Sequence, residues 1–199
     1  MEHKVKQNLQ SLKKVGIPII IVGAVQECEA VANACSELGI VVSAFCDSEP
    51  RSSKNALCNL EVIHSPTLPK RFPKARFIIG CQHVQDVVEQ LTGYGYDDFY
   101  SPLQLIENYD VNKFEHTVSN SYMEKRLAVC KKTHKAYFDE DKTYMRSIDV
   151  MVTTKCSLKC NNCSNLMQYY TNPEHTDHKK ILAALKIIDE NVDGISEFR

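Results

Sequence analysis

The residues best suited to chemistry are three cysteines late in the chain. They stand in Thr153-Thr154-Lys155-Cys156-Ser157-Leu158-Lys159-Cys160-Asn161-Asn162-Cys163-Ser164, a C-x3-C-x2-C spacing that follows an apolar segment. Three thiolates on one loop can each ligate one iron of a cubane cluster. The fourth iron is then open to a substrate or cofactor, whereas a cluster that only carries electrons uses four cysteines. Zinc is the rival reading. The same cysteines with His175 or His178 would make a tetrahedral Cys3His set, although zinc loops more often use two separated pairs. Inert packing of all three is the weakest reading, because Lys155, Lys159, Asn161 and Asn162 make the loop polar. The other six, Cys28, Cys35, Cys46, Cys58, Cys81 and Cys130, are scattered among apolar residues and read as small buried hydrophobes.

The composition bounds what surrounds this loop. The chain has 199 residues, 43% of them apolar and 25% charged, which is enough to build a core. Nine cysteines is an odd count, and Met1-Glu2-His3-Lys4 does not open an export signal, so a disulfide framework is not expected. A formal net charge of -1 gives no global electrostatic reason to bind nucleic acid or anionic membrane. The longest apolar run, residues 17–25, is interrupted by Pro18 and Gly23 and is too short to span a bilayer. The expectation is a soluble cytoplasmic protein with neither a nucleic-acid nor a membrane partner.

The elements that must position the loop can be read from the apolar pattern. Residues 5–14 read as a short amphipathic helix. Residues 17–22 form a continuous apolar run bounded by glycines, the pattern of a strand buried on both faces. Helical spacing follows over 26–38, ending at Gly39. Further strands are expected at 40–45, 61–63, 76–80 and 96–100, with a helix at 83–91. This alternation implies a doubly wound α/β sheet over residues 1–106. Residues 107–146 are richly charged and lack glycine, and they read as a helical linker with a solvated face. Residues 147–199 begin again with a strand at 148–152. A helix at 177–191, capped by Thr176 or Asp177, and a strand from 194 follow.

With its preceding strand at 149–153, the Cys156, Cys160 and Cys163 loop resembles the radical S-adenosylmethionine (SAM) superfamily. Leu166-Met167-Gln168-Tyr169-Tyr170, Pro173 and the helix over 177–191 belong to the same resemblance. It covers about the last quarter of the chain. It implies the start of a partial (β/α) barrel and a [4Fe-4S] cluster whose open iron binds SAM. Reductive cleavage of SAM to a 5′-deoxyadenosyl radical, which abstracts hydrogen from a small-molecule or sugar-related substrate, is the implied activity. A flavodoxin or ferredoxin is the implied electron donor. Asn162 takes the place of a residue usually aromatic in that family, whose backbone lies near the adenine. The Gly-Gly-Glu-Pro-type segment that holds the SAM amino group in the family has no counterpart before Arg199, so the chain as given is expected to be inactive by itself.

The N-terminal segment is similar to the Rossmann-like domains of bacterial sugar-modifying enzymes, including sugar O-acyltransferases. Gly23-Ala24, Phe45-Cys46-Asp47 and the segment around Tyr94-Gly95-Tyr96 carry that likeness. A dinucleotide fingerprint would have glycine where Val25 and Cys28 stand, so tight NAD binding is not expected. Asp47 is placed like a ribose-binding carboxylate, and equally like a loop or cap residue. His83 opens a helix on the ligand-binding edge of such sheets, and His64 reads as a loop residue. A nucleotide- or sugar-nucleotide-binding module with a structural zinc loop is the alternative to a radical SAM enzyme. An electron-transfer iron–sulfur protein is a third reading.

Overall fold

The computed structural model describes residues 5–13, 16–49, 56–139, 143–158, 160–163 and 165–198. The chain divides into two compact units, residues 1–139 and 140–199. Lys159 and Ser164 of the cysteine loop lie outside the described residues.

The first unit is built on a seven-stranded sheet. Its strands are β1 (Val5–Lys6), β2 (Ile19–Val22), β3 (Ala44–Asp47), β4 (Ala56–Leu57), β5 (Leu60–His64), β6 (Arg76–Ile79) and β7 (Phe99–Tyr100). Their order across the sheet is β1-β7-β6-β2-β3-β5-β4. Every described pairing is parallel except β4 with β5. The helices are α1 (Gln26–Glu37), α2 (Leu68–Arg71), α3 (Val84–Gly93), α4 (Leu103–Ile106) and α5 (Asn120–Tyr137).

Strand periodicity explains how the sheet is covered on both faces. Ile19, Ile21, Phe45, Ile78 and Tyr100 pack into one apolar cluster with α1, α4 and α5. Ile20, Val22, Ala44, Cys46, Ile63, Phe77, Ile79 and Phe99 alternate with them and pack into a second cluster with α3. All four residues of β2, and all four of β6, are buried, as strands covered on both faces require.

Several expectations shift. Residues 5–14 do not form a single helix: Val5 and Lys6 pair with Phe99 and Tyr100 as an edge strand, and Gln10–Lys13 make one 3-10 turn. The second inner strand begins at Ala44 rather than at residue 40, because pairing with β2 starts there. The β4–β5 hairpin was not expected. Its two turn residues, Cys58 and Asn59, have φ of 49° and 60°, the left-handed pair of a type I′ turn. That turn leaves Cys58 exposed, unlike the five other scattered cysteines, which are buried.

The expected linker over 107–146 gives way in its larger part. Residues 107–139 belong to the first unit. In α5, Met123, Leu127, Cys130 and His134 recur at helical spacing and are buried. One of these four, His134, is not an obvious core residue, and charged residues flank the stripe in sequence. Ser119 caps the helix, its hydroxyl accepting from the Tyr122 N–H at 3.4 Å. His134 is fully buried, with Nε2 3.1 Å from the Cys81 carbonyl and Nδ1 3.4 Å from the Ser101 hydroxyl.

The second unit holds β8 (Tyr144–Ile148), α6 (His178–Asn191) and β9 (Gly194–Phe198). β8 and β9 pair in parallel, Tyr144 opposite Gly194 through Ile148 opposite Phe198. β8 therefore lies four residues earlier than expected. Asp177 caps α6, accepting the Lys179 N–H at 2.9 Å. No described residue of α6 is fully buried, and Leu182 and Ile187 are exposed. Among the described residues, no helix is long and apolar enough to cross a membrane.

Two outcomes follow from this packing. Residues 1–139 expressed alone will unfold in one cooperative thermal transition, while residues 140–199 alone will show none, because none of their described residues is buried. Burial pushes His134 down to about 4 from its ordinary 6.5. The unfolded chain then binds more protons between those two values, so stability is lost as pH falls through that window. Moving from about pH 7 to about pH 5 should cost the first unit ~1–2 kcal/mol from this residue. Denaturant titrations of the parent and of His134→Gln will check it: the variant loses that part of the slope.

Candidate functional site

The cysteine loop is a long excursion closed at its base. Val152 to Thr154 run alongside Glu174 to Thr176, with Thr153 bridged to His175. The Thr154 N–H donates to the Glu174 carbonyl at 2.9 Å, and the Thr176 N–H to the Val152 carbonyl at 3.1 Å. Threonine hydroxyls complete the neck. Thr154 Oγ1 accepts the Glu174 N–H at 2.8 Å, and Thr176 Oγ1 donates to the Met151 carbonyl at 2.8 Å. The Met151 and Val152 carbonyls are thus engaged across the neck rather than in β9.

Within the loop, Cys156 and Cys160 are exposed and Cys163 is half-buried. Asn162, His175 and His178 are exposed. After Cys163 the chain turns through Leu166, whose φ of 54° is left-handed, and into a 3-10 turn over Met167–Tyr169. Leu166 N–H reaches the Cys163 carbonyl at 3.1 Å and so fixes that turn to the third cysteine. Met151, Asn165, Leu166, Tyr169 and Tyr170 line an apolar hollow of about 460 Å3 on this unit. Among the described residues, no three His, Cys, Asp or Glu side chains converge as a metal-binding group. The donor set nevertheless suits a thiophilic metal: three thiols, none locked in a core, lie between hydrogen-bonded ends.

A second site was only partly foreseen. It is a cleft of about 860 Å3 in the first unit, at the carboxyl ends of β2, β3 and β6. Asp47 is one of the residues that line it. Its Oδ2 accepts the Ala24 N–H at 2.8 Å and its Oδ1 the Glu49 N–H at 2.9 Å, so this carboxylate ties the β2 turn to the β3 turn. His83 lines the cleft as the residue before α3, with Nδ1 3.5 Å from Asp86. His64, expected in a loop, is instead the last residue of β5, opposite Asp47, and its ring contacts the Ser48 carbonyl at 2.9 Å.

Sequence reasoning missed three residues here. Glu27, 1% exposed, is gripped by Arg126 of α5 through Nη2 at 2.8 Å and Nε at 3.1 Å, and Gln82 donates to it at 3.2 Å. Ninety-nine residues separate the two charges, and no local pattern could have paired them. The third is Ser65, 1% exposed, whose Oγ has no hydrogen-bond partner among the described residues.

The expected obstacle at Cys28 is resolved from the other side. A Cβ placed on Gly80 would lie 2.6 Å from Cys28 Sγ and 3.0 Å from an Ile21 methyl. The missing side chain is on the strand end rather than on the helix, so α1 still approaches the sheet closely. Gly23, with φ of 106°, turns the chain between β2 and α1.

Compared with known proteins, the chain matches no family model, no curated protein and no solved structure.

The Gly80–Cys28 contact makes a testable pair. Gly80→Ala should cost about 1–3 kcal/mol by overpacking. In a Cys28→Ala background the same change should cost less, with a coupling of about 1–2 kcal/mol between the two sites. Urea denaturation of the two single variants and the double variant measures it; strictly additive losses would show that the contact is not the constraint.

Proposed function

We propose that residues 140–199 are the cluster-binding segment of a radical SAM-type domain, with Cys156, Cys160 and Cys163 as the protein ligands of a [4Fe-4S] cluster and SAM as cofactor. One observation carries the reading. The three clustered cysteines sit on a neck-closed polar loop outside any core, whereas Cys28, Cys35, Cys46, Cys81 and Cys130 are buried. Burial holds those buried thiols protonated, with Cys35 and Cys46 pushed up to about 12 and Cys81 to about 11. A thiolate is what a metal needs, and Cys156 and Cys160 are exposed where a metal can reach them.

When bound, such a cluster supplies the single electron that cleaves SAM, with hydrogen abstraction from a small-molecule substrate as the outcome. The chain's own residues do the holding. The Val152–Thr154 and Glu174–Thr176 neck fixes the two ends of the loop. Asn162 presents its backbone beside the third ligand. The apolar hollow lined by Met151, Leu166, Tyr169 and Tyr170 offers aromatic faces to a flat ring such as adenine. A flavodoxin or ferredoxin would donate the electron. The doubly wound first unit, Rossmann-like in this reading, would serve as an accessory domain to a (β/α) barrel that residues 140–199 begin.

Anaerobic reconstitution followed by metal and sulfide analysis tests this. About four irons and four sulfides per chain are expected. Cys156→Ala, Cys160→Ala and Cys163→Ala should each abolish the visible absorbance of the reconstituted protein, and Cys130→Ala should not. About one tightly held zinc would overturn the reading in favour of a Cys3His site with His175 or His178 as the fourth ligand. About two irons would favour an electron-transfer centre instead.

A further inference from the structure

We propose that the cleft in the first unit binds a phosphorylated polyhydroxyl compound, in chemical class a sugar monophosphate. Its phosphate would sit at the first turn of α1 near Arg126, and its hydroxyls at Asp47 and Ser65. This assignment is independent of the cysteine loop.

The position follows from connectivity. The chain leaves β2 through α1 toward β3, and leaves β6 through α3 toward β7, on opposite sides of the adjacent pair β2 and β6. A crevice opens at such a reversal, at the carboxyl ends of the strands. Two helices of 12 and 10 residues therefore begin at the same cleft. Neither N-cap residue, Val25 or His83, supplies a side-chain cap. In α1 the Cys28 N–H is met by the Val25 carbonyl at 3.0 Å, which leaves those of Gln26 and Glu27 as the first-turn groups that can serve a ligand, and the helix dipoles favour an anion. Arg126 lines the same cleft, using Nε and Nη2 on Glu27, which leaves Nη1 outside that pair.

Ser65 is the independent sign of a ligand. It lines the cleft, is almost wholly buried, and has an Oγ with no partner among the described residues. A buried hydroxyl left unpaired is costly and uncommon, and a ligand hydroxyl would satisfy it. Ser65 directly follows β5, two strands across from β2 in the sheet order. At strand spacing that is ~10 Å, about the span of one sugar ring with its phosphate. Asp47, at the end of the strand between them, spends one lone pair of each oxygen on a backbone N–H and retains others for hydroxyl donors.

The charges set the polarity of the ligand. At one end of the cleft the open helix-start N–H groups and Arg126 Nη1 offer donors to an anion, the Arg126 charge itself being paired with Glu27. Asp47 and Glu49 make the β3 side repel a second phosphate, so a pyrophosphate lying across it is disfavoured. Asp86 is 81% exposed beside His83, where solvent screens it. One anionic end and one hydroxylated end is the complementary ligand.

Calorimetry on the full chain with glucose 1-phosphate, ribose 5-phosphate, glucose and inorganic phosphate tests the proposal. At least one sugar phosphate should bind with a Kd below about 1 mM, and glucose and inorganic phosphate each at least about tenfold more weakly. Ser65→Ala should weaken that binding about tenfold while leaving the melting temperature unchanged, since the hydroxyl has no protein partner to lose. Gln26→Pro removes one helix-start N–H at the position where proline is tolerated, and Val25, with φ of -114° and ψ of 166°, already has the backbone a following proline requires. It should weaken the sugar phosphate and inorganic phosphate alike. The proposal is overturned if neither sugar phosphate binds, if inorganic phosphate binds as tightly as they do, or if both variants bind as the parent does.

Discussion

The first unit depends on how closely α1 lies against the sheet between β2 and β6. That approach requires an absent side chain, and Gly80 provides the gap that Cys28 fills. The contact seats α1 over the ends of two neighbouring strands. Gly23, in a positive-φ conformation that most residues resist, makes the turn that leads into it. Once α1 is placed, Glu27 in its first turn is buried. A buried carboxylate without a partner would be costly, so Arg126 of α5 is drawn onto it. The pair ties α5 to α1, beside the buried stripe of Met123, Leu127, Cys130 and His134 that packs α5 into the first unit. One close packing contact thereby fixes a helix, a buried ion pair and the wall of the cleft.

Burial also sorts eight of the nine cysteines into two chemical classes, Cys58 being exposed in the β4–β5 turn. Five thiols in the first unit pack against strands and helices, where desolvation keeps them neutral and unreactive. The three in the second unit lie on a loop with no core behind it. The second unit buries so little that its order near the cysteines comes from hydrogen bonds, with threonine hydroxyls reinforcing the neck at both strands. Such a loop can rearrange around a metal at little cost to packing, which suits a ligand set whose thiols do not converge among the described residues.

The α/β character of the chain was legible in its sequence. Unbroken apolar runs such as residues 19–22 and 76–79 have one physical explanation, a strand covered on both faces, and the helices between them carry clear periodicity. The C-x3-C-x2-C spacing and the Asp177 cap are likewise local patterns, readable because their chemistry lies within a few residues of chain. The end of the first unit was not legible. The buried stripe of α5 is Met123, Leu127, Cys130 and His134, and a histidine becomes a core residue only when a carbonyl such as that of Cys81 waits for it. The Cys58-Asn59 turn was hidden for a similar reason: it lacks the Asn-Gly signal that advertises such hairpins.

Sequence alone determined which segments are strands and helices in the inner sheet, and that three thiols share one polar loop. Tertiary structure alone decided that Gly80 makes room for Cys28, that Arg126 of α5 meets the buried Glu27 of α1, and that Ser65 is buried with its hydroxyl unmet among the described residues. The reason is range. Periodicity and ligand spacing are properties of neighbouring residues, whereas close approach, desolvation and hydrogen-bond satisfaction depend on which distant residues the fold brings into contact.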